Sequence, residues 1–150
     1  MRLILITGNE ARHRFVASRL AAQLGLTAIV SEAKPPSPAA MIGDASDPRV
    51  RHLAERFAVE AQMLGDVAFP DIETLSLRHG AANDATTLDW IEARAPDAIL
   101  LYGSSIIRLP LLTAFDGRII NMHLGLSPYY RGAGTNFWAE LGVPRHAQWV

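Results

Sequence analysis

Residues 2–7 form a short, unbroken apolar run stopped by Gly8-Asn9, and the change of pattern after Asn9 narrows the fold more than any other feature. From Ala11 to Leu24 the period changes. Phe15, Val16, Leu20 and Leu24 alternate with Arg12, Arg14 and Arg19 in the manner of an amphipathic helix, and Gly25 ends it. Leu26 to Val30 is a second apolar run of strand length. Two buried strands joined by a helix must lie parallel, and parallel strands need helices on the faces of their sheet. The expected fold class is therefore α/β: a Rossmann-like, doubly wound, mostly parallel sheet.

The remaining elements continue that alternation. Residues 33–48 hold four prolines among Ala, Ser, Gly and Asp and read as a surface loop. Asp47 is a plausible N-cap, with Pro48 opening a helix that runs to Leu64 and stops at Gly65. Residues 72–77 alternate apolar and polar, which predicts a strand toward an edge of the sheet. A helix is expected from Asp84 to Ala95, and a fully buried strand from Ala98 to Tyr102, closed by Gly103. A short helix over 109–115, a strand over 118–122 and a last helix over 135–141 complete the chain. Nothing repeats internally and no linker divides the 150 residues, so one domain is expected.

Composition excludes several kinds of function. With no cysteine, the chain has no disulfide framework, thiol catalysis or cysteinyl zinc site. Its five histidines lack ligand-like spacing, so no metal is expected. A formal net charge of −1 offers no general polyanion-binding surface, and DNA is not an expected partner. No apolar run reaches membrane-spanning length and the amino terminus lacks a signal-peptide pattern, which makes the cytoplasm the expected location.

Three segments carry candidate chemistry. Asn121 and His123 close the apolar run Ile119-Ile120-Asn121-Met122-His123, and in an extended strand they would point to one face. An amide donor beside an imidazole can stabilise a developing oxyanion and move a proton. A polar pair finishing a buried strand is the plainer alternative. Gly8-Asn9-Glu10 joins the first strand to the first helix, where a helix N-terminus could meet a substrate phosphate or carboxylate; an ordinary tight turn would look the same. It holds one glycine where a dinucleotide fingerprint needs three. Arg12, His13 and Arg14 would add positive charge there or form a solvated face. Finally, Gly103-Ser104-Ser105-Ile106-Ile107-Arg108 leaves a strand end with hydroxyls and an apolar wall, a mixture suited to a flat heteroaromatic edge or to plugging the core.

Taken with the Asp116-Gly117-Arg118 turn and Pro128-Tyr129-Tyr130-Arg131-Gly132, these segments occur in an order and spacing that resemble the folate-dependent formyltransferases. That family includes the glycinamide ribonucleotide, methionyl-tRNA and sugar N-formyltransferases. The resemblance is close over residues 96–142 and looser over 1–31, and the Tyr-Arg-Gly form is more like the tRNA and sugar enzymes. It implies the family's N-terminal catalytic domain, with Asn121 and His123 catalytic and Ser104, Ser105, Ile106, Ile107 and Arg108 lining a pocket for 10-formyltetrahydrofolate. The main-chain groups of Ile106 and Arg108 would lie near the pterin. Gly8, Asn9, Tyr130, Arg131 and Gly132 would bind the acceptor.

The implied reaction belongs to one-carbon metabolism: formyl transfer to a primary amine of a small molecule, a sugar nucleotide or an aminoacyl-tRNA. A formyltetrahydrofolate hydrolase and a non-catalytic folate-binding protein are the alternatives, and a homo-oligomer is left open. The family's third catalytic residue, an aspartate beyond the histidine, would fall past Val150, so the chain is expected to be the amino-terminal part of such a domain.

Overall fold

In a computed structural model of the chain, residues 1–34, 46, 48–123 and 129 are described. Strand β1 (Leu3–Gly8) lies at the centre of a five-stranded sheet, between β2 (Leu26–Glu32) and β4 (Ala98–Tyr102). The outer strands are β3 (Thr74–Leu77) and β5 (Ile119–Asn121), in the order β3-β2-β1-β4-β5. The β1–β2, β1–β4 and β2–β3 pairs are parallel, with Leu5 opposite both Ile29 and Leu100 and Val30 opposite Leu75. The parallel, doubly wound expectation holds, and the alternating strand is at the edge where its half-polar pattern places it.

All of β1 is buried because both sheet faces are covered. Leu3 and Leu5 pack on one face with Ile29, Leu100 and Ala17. Ile4 and Ile6 pack on the other with Val30, Ile99, Ile91, Leu111 and Phe115. The alternation within β1 is the two-residue period of a strand, and each fully buried Leu or Ile contributes about 1.5–3 kcal/mol.

Helix α1 (Ala11–Leu24) has the expected bounds, and Gly25 donates its N–H to the Ala21 carbonyl at its end. Its buried face differs from expectation. His13 and Ala17 are buried and Leu20 and Ala21 pack beside them, while Phe15 and Leu24 are exposed. Ala17 lets α1 approach the sheet closely and Leu20 packs beside it as expected, whereas Phe15 and Leu24 fall outside that contact.

Helix α2 spans Pro48–Leu64, with Asp47 outside the described residues. A 3-10 turn at Ala81–Asn83 precedes α3, which runs Ala85–Glu92. Asp84 is extended at its N-cap, and the helix stops short of Ala95, whose φ is 44°. Helix α4 is limited to Leu111–Ala114. β3 begins at Thr74 because the Ile72 N–H turns back to the Pro70 carbonyl at 2.7 Å. The expected last helix and most of the Pro-rich loop lie outside the described residues.

The chain falls into two compact units, Met1–Ile120 and Asn121–Val150. In the second, the described residues are Asn121, Met122, His123 and Tyr129.

Candidate functional site

The carboxyl ends of β1, β2 and β4 converge on one buried imidazole. His13, on the first turn of α1, is 1% exposed and meets the Tyr102 ring edge-on, with ring centroids 5.6 Å apart. Its Nδ1 accepts the Glu10 backbone N–H at 3.1 Å, which leaves the proton of the neutral ring on Nε2. The ring fits because two strand ends carry no side chain. A Cβ on Gly8 would lie 2.7 Å from His13 Cε1, and one on Gly103 would lie 2.4 Å from Nε2. Gly103 also has φ of +61°, a conformation that disfavours any residue with a Cβ. Burial, then the guanidinium of Arg12 and the charges of Lys34, Arg14 and Arg56, push the His13 pKa down to about 3. His13 is therefore neutral and buried. It supplies neither the positive charge nor the solvated face expected of it.

Around this ring the turn is tied down by polar contacts. Asn9 Oδ1 accepts the Lys34 backbone N–H at 3.2 Å, and Lys34 Nζ donates to the Gly103 carbonyl. Burial lowers the Lys34 pKa against the opposing pull of Glu10 and Glu32. The Glu10 carboxylate pairs with Arg12, whose guanidinium also reaches Glu60 at 3.0 and 3.1 Å. Arg14 donates to the Val67 and Asn9 carbonyls at 2.6 and 2.8 Å. The Gly8-Asn9 turn thus already holds a paired carboxylate.

Glu32, fully buried at the end of β2, links the next two segments. One carboxyl oxygen accepts the Ala82 N–H and the other the Ser105 N–H, each at 2.9 Å. These bonds fix the 3-10 turn and the loop after β4 as two walls of a cavity of about 380 Å³, lined by His79, Gly80, Asn83, Ser104, Ser105, Ile106 and Arg108. At its wall the Asn83 carboxamide donates to the Ile106 carbonyl at 3.0 Å and accepts the Arg108 N–H at 2.7 Å. The Ser105 hydroxyl oxygen is buried and has no hydrogen-bond partner among the described residues.

Four of the five residues expected to hold the folate, Ser104, Ser105, Ile106 and Arg108, therefore line one cavity. Ile107 does not: it belongs to the core cluster with Ile6, Ile99 and Leu111, while Ile106 is 76% exposed. The two isoleucines are thus turned to opposite sides of the loop, and only Ile106 can form the expected wall. Gly8 and Asn9 are at the turn after β1. Asn121 ends β5 and His123 lies two residues beyond it; both are exposed, and strand alternation stops at Asn121. Tyr130, Arg131 and Gly132 lie outside the described residues. Among the described residues no group of three or more His, Asp or Glu could hold a metal ion, and no helix is long and apolar enough to cross a membrane.

Glu32 and Asn83 are not expected as site residues from the sequence, and His13 is expected there only as a possible charge. A carboxylate closing the apolar run of β2 is a sequence signal for Glu32, since an acid so placed must find buried donors. For Asn83 the sequence offers no signal beyond its position before a helix.

No protein-family model matches the chain, and no curated protein matches it in sequence. Solved structures do match. The phosphoribosylglycinamide formyltransferase from Anaplasma phagocytophilum superposes with a TM-score of 0.57 at 16% identity, over 95% of this chain and 59% of that one. The enzyme of the same name from Streptococcus pneumoniae TIGR4 gives 0.56 at 20% identity, over 95% of this chain and 67% of the other. The chain has the formyltransferase fold. A third structure, the phosphoribosylglycinamide formyltransferase from Coxiella burnetii, agrees at a TM-score of 0.51 and 20% identity, covering 95% of this chain and 60% of its own. The chain thus spans about three fifths of the length of the first of these relatives.

Proposed function

We infer that this chain serves formyl transfer from 10-formyltetrahydrofolate to a primary amine of a small molecule, sugar nucleotide or aminoacyl-tRNA. The observation that carries this reading is the main-chain pair at the cavity wall, the Ile106 carbonyl beside the Arg108 N–H, which already binds a carboxamide. The amino-pyrimidinone edge of a pterin offers the same donor beside an acceptor. The exposed Ile106 side chain would cover the flat ring, and Ser104 and Ser105 line the same cavity. The residues present therefore fit the donor, which when bound supplies a formyl carbon open to attack by an amine.

Asn121 is assigned the amide N–H that stabilises negative charge growing on the formyl oxygen. His123 is assigned the imidazole that adds to this stabilisation when protonated and carries a proton when neutral. Neither role requires a nucleophilic side chain or a metal.

Amine-dependent release of tetrahydrofolate, measured in a form extended past Val150 to take in the expected aspartate, tests the assignment. His123→Ala should abolish release while leaving donor binding nearly unchanged, because its contribution arises mainly in the charged transition state. Asn121→Ala should reduce turnover by about 100- to 1000-fold, the usual cost of one oxyanion donor. Release that does not depend on the amine would mark a hydrolase. Wild-type turnover in His123→Ala would refute its catalytic role.

A further inference from the structure

The contact between Asn83 and the cavity wall has a consequence for ligand entry. Asn83 is the last residue of the 3-10 turn, half-buried, and its carboxamide makes two bonds to one strip of main chain: Nδ2 to the Ile106 carbonyl and Oδ1 to the Arg108 N–H. A carbonyl oxygen has two lone pairs and could accept a second donor. A backbone N–H has one proton. While Oδ1 holds the Arg108 N–H at 2.7 Å, no ligand can make a full hydrogen bond there.

The turn beneath Asn83 is held independently of that side chain. The Ala82 N–H is bound by Glu32, and the Ala81 carbonyl accepts the Thr87 hydroxyl at 2.8 Å. Asn83's own N–H reaches the Gly80 carbonyl only at 3.5 Å. Rotation about the Asn83 side-chain bonds would release the wall while leaving the turn and the Glu32 clamp in place.

We propose that Asn83 is a latch that occupies the heterocycle-reading edge of the cavity and must swing away before a ligand with an amino-pyrimidinone edge can bind. This rests on the folate reading of the same cavity and adds a residue to it. The carboxamide presents an N–H donor and a carbonyl acceptor side by side, as such a ring edge does, so the latch and the ligand compete for the same two groups. The competition also gives selectivity. A ligand able to use only one of the two groups breaks two bonds for the one it makes and cannot displace the latch efficiently.

The test uses the full chain, its Asn83→Ala and Asn83→Ser variants, and 5-formyltetrahydrofolate as the probe, with affinity read by calorimetry and folding by far-ultraviolet circular dichroism. If the latch is closed in most molecules, opening it should tighten binding by about five- to tenfold, the reciprocal of the open fraction. Asn83→Ser is too short to hold both the Ile106 carbonyl and the Arg108 N–H, so it should tighten binding in the same direction if Asn83→Ala fails to fold. In wild-type protein, the Arg108 amide should be protected from hydrogen exchange with or without probe. In Asn83→Ala it should be protected only with the probe bound.

Equal or weaker binding by folded variants would make Asn83 a strut and overturn the latch, leaving the folate reading intact. No binding by wild type or variants would overturn both.

Discussion

Glu32→Gln should destabilise the protein far more than an isosteric change at a carboxyl group ordinarily does. Both Glu32 oxygens accept a backbone N–H at 2.9 Å, from Ala82 and from Ser105, in a fully buried position. A glutamine keeps the shape but turns one of the two terminal atoms into a donor. Whichever way the amide is flipped, one N–H loses its acceptor and faces another N–H. One buried hydrogen bond is worth about 1 kcal/mol and an orphaned buried donor costs about 1–3 kcal/mol, so the loss should be about 2–4 kcal/mol. For a chain of this length that corresponds to a fall in Tm of roughly 4–16 °C. Urea titration followed by tryptophan fluorescence measures it, with Glu55→Gln on the exposed face of α2 as the control, expected within about 0.5 kcal/mol of wild type. A Glu32→Gln midpoint indistinguishable from the control would refute the account of Glu32 as a two-ended acceptor.

The buried imidazole and the glycine against it give two more outcomes. His13 is neutral in the fold down to pH about 3, while its unperturbed value is 6.5, so the unfolded chain takes up the proton first as pH falls. The stability from this group is complete above pH 6.5 and declines by about 1.4 kcal/mol per pH unit below it, or about 2 kcal/mol by pH 5. His13→Gln should lose stability at pH 8 but flatten that segment of the curve, and an unchanged slope in urea titrations at both pH values would contradict the assignment. Gly103→Ala should cost about 2–4 kcal/mol, from its left-handed backbone and the 2.4 Å approach to His13. Gly117→Ala, with a similar φ of +68° and no other described residue within 4 Å of an added Cβ, should cost only about 1–2 kcal/mol, and equal losses at the two sites would remove the steric role of His13.

Elements whose cause is local were legible in the sequence. The apolar runs of β1, β2 and β4 are buried on both faces and appear at the expected places, because hydrophobic runs of strand length between helices have few other ways to be buried. α1 was legible in extent but not in orientation. Periodicity favoured Phe15 and Leu24, whereas the sheet accepts the face bearing His13 and Ala17, since depth of contact depends on side-chain size as much as polarity. Short elements shifted where a turn competed for their end residues, as at Ile72 and Ala95.

The loop after β4 was legible as a site and only partly in its detail. The order of its residues suggested a ligand edge, but which isoleucine faces the cavity depends on the backbone path from Gly103. Its long-range partners were hidden. Glu32 and Ser105 are 73 residues apart, and Asn83 and Arg108 are 25 apart. A contact between distant polar side chains and main chain leaves no periodicity to detect.

What those hidden partners share is their place at the carboxyl end of the sheet. A buried polar group costs free energy unless each of its bonds is made, so a core built for stability alone would carry apolar residues at positions 13, 32 and 105. His13 and Glu32 are satisfied, and the consequence of their bonds is geometric: they hold the β1 turn, the 3-10 turn and the β4 loop by their main chains, leaving side chains on the open side free to differ. The Ser105 hydroxyl is buried beside them with no hydrogen-bond partner among the described residues, and Ser105 lines the cavity those bonds shape. The rear of the cavity is therefore fixed by two buried bonds at Glu32, and its front is closed by two at Asn83 that are half-exposed and chemically replaceable by a ligand. Stability and binding are separated on the two sides of one loop, which is why changes at Glu32 should register mainly in unfolding and changes at Asn83 mainly in affinity.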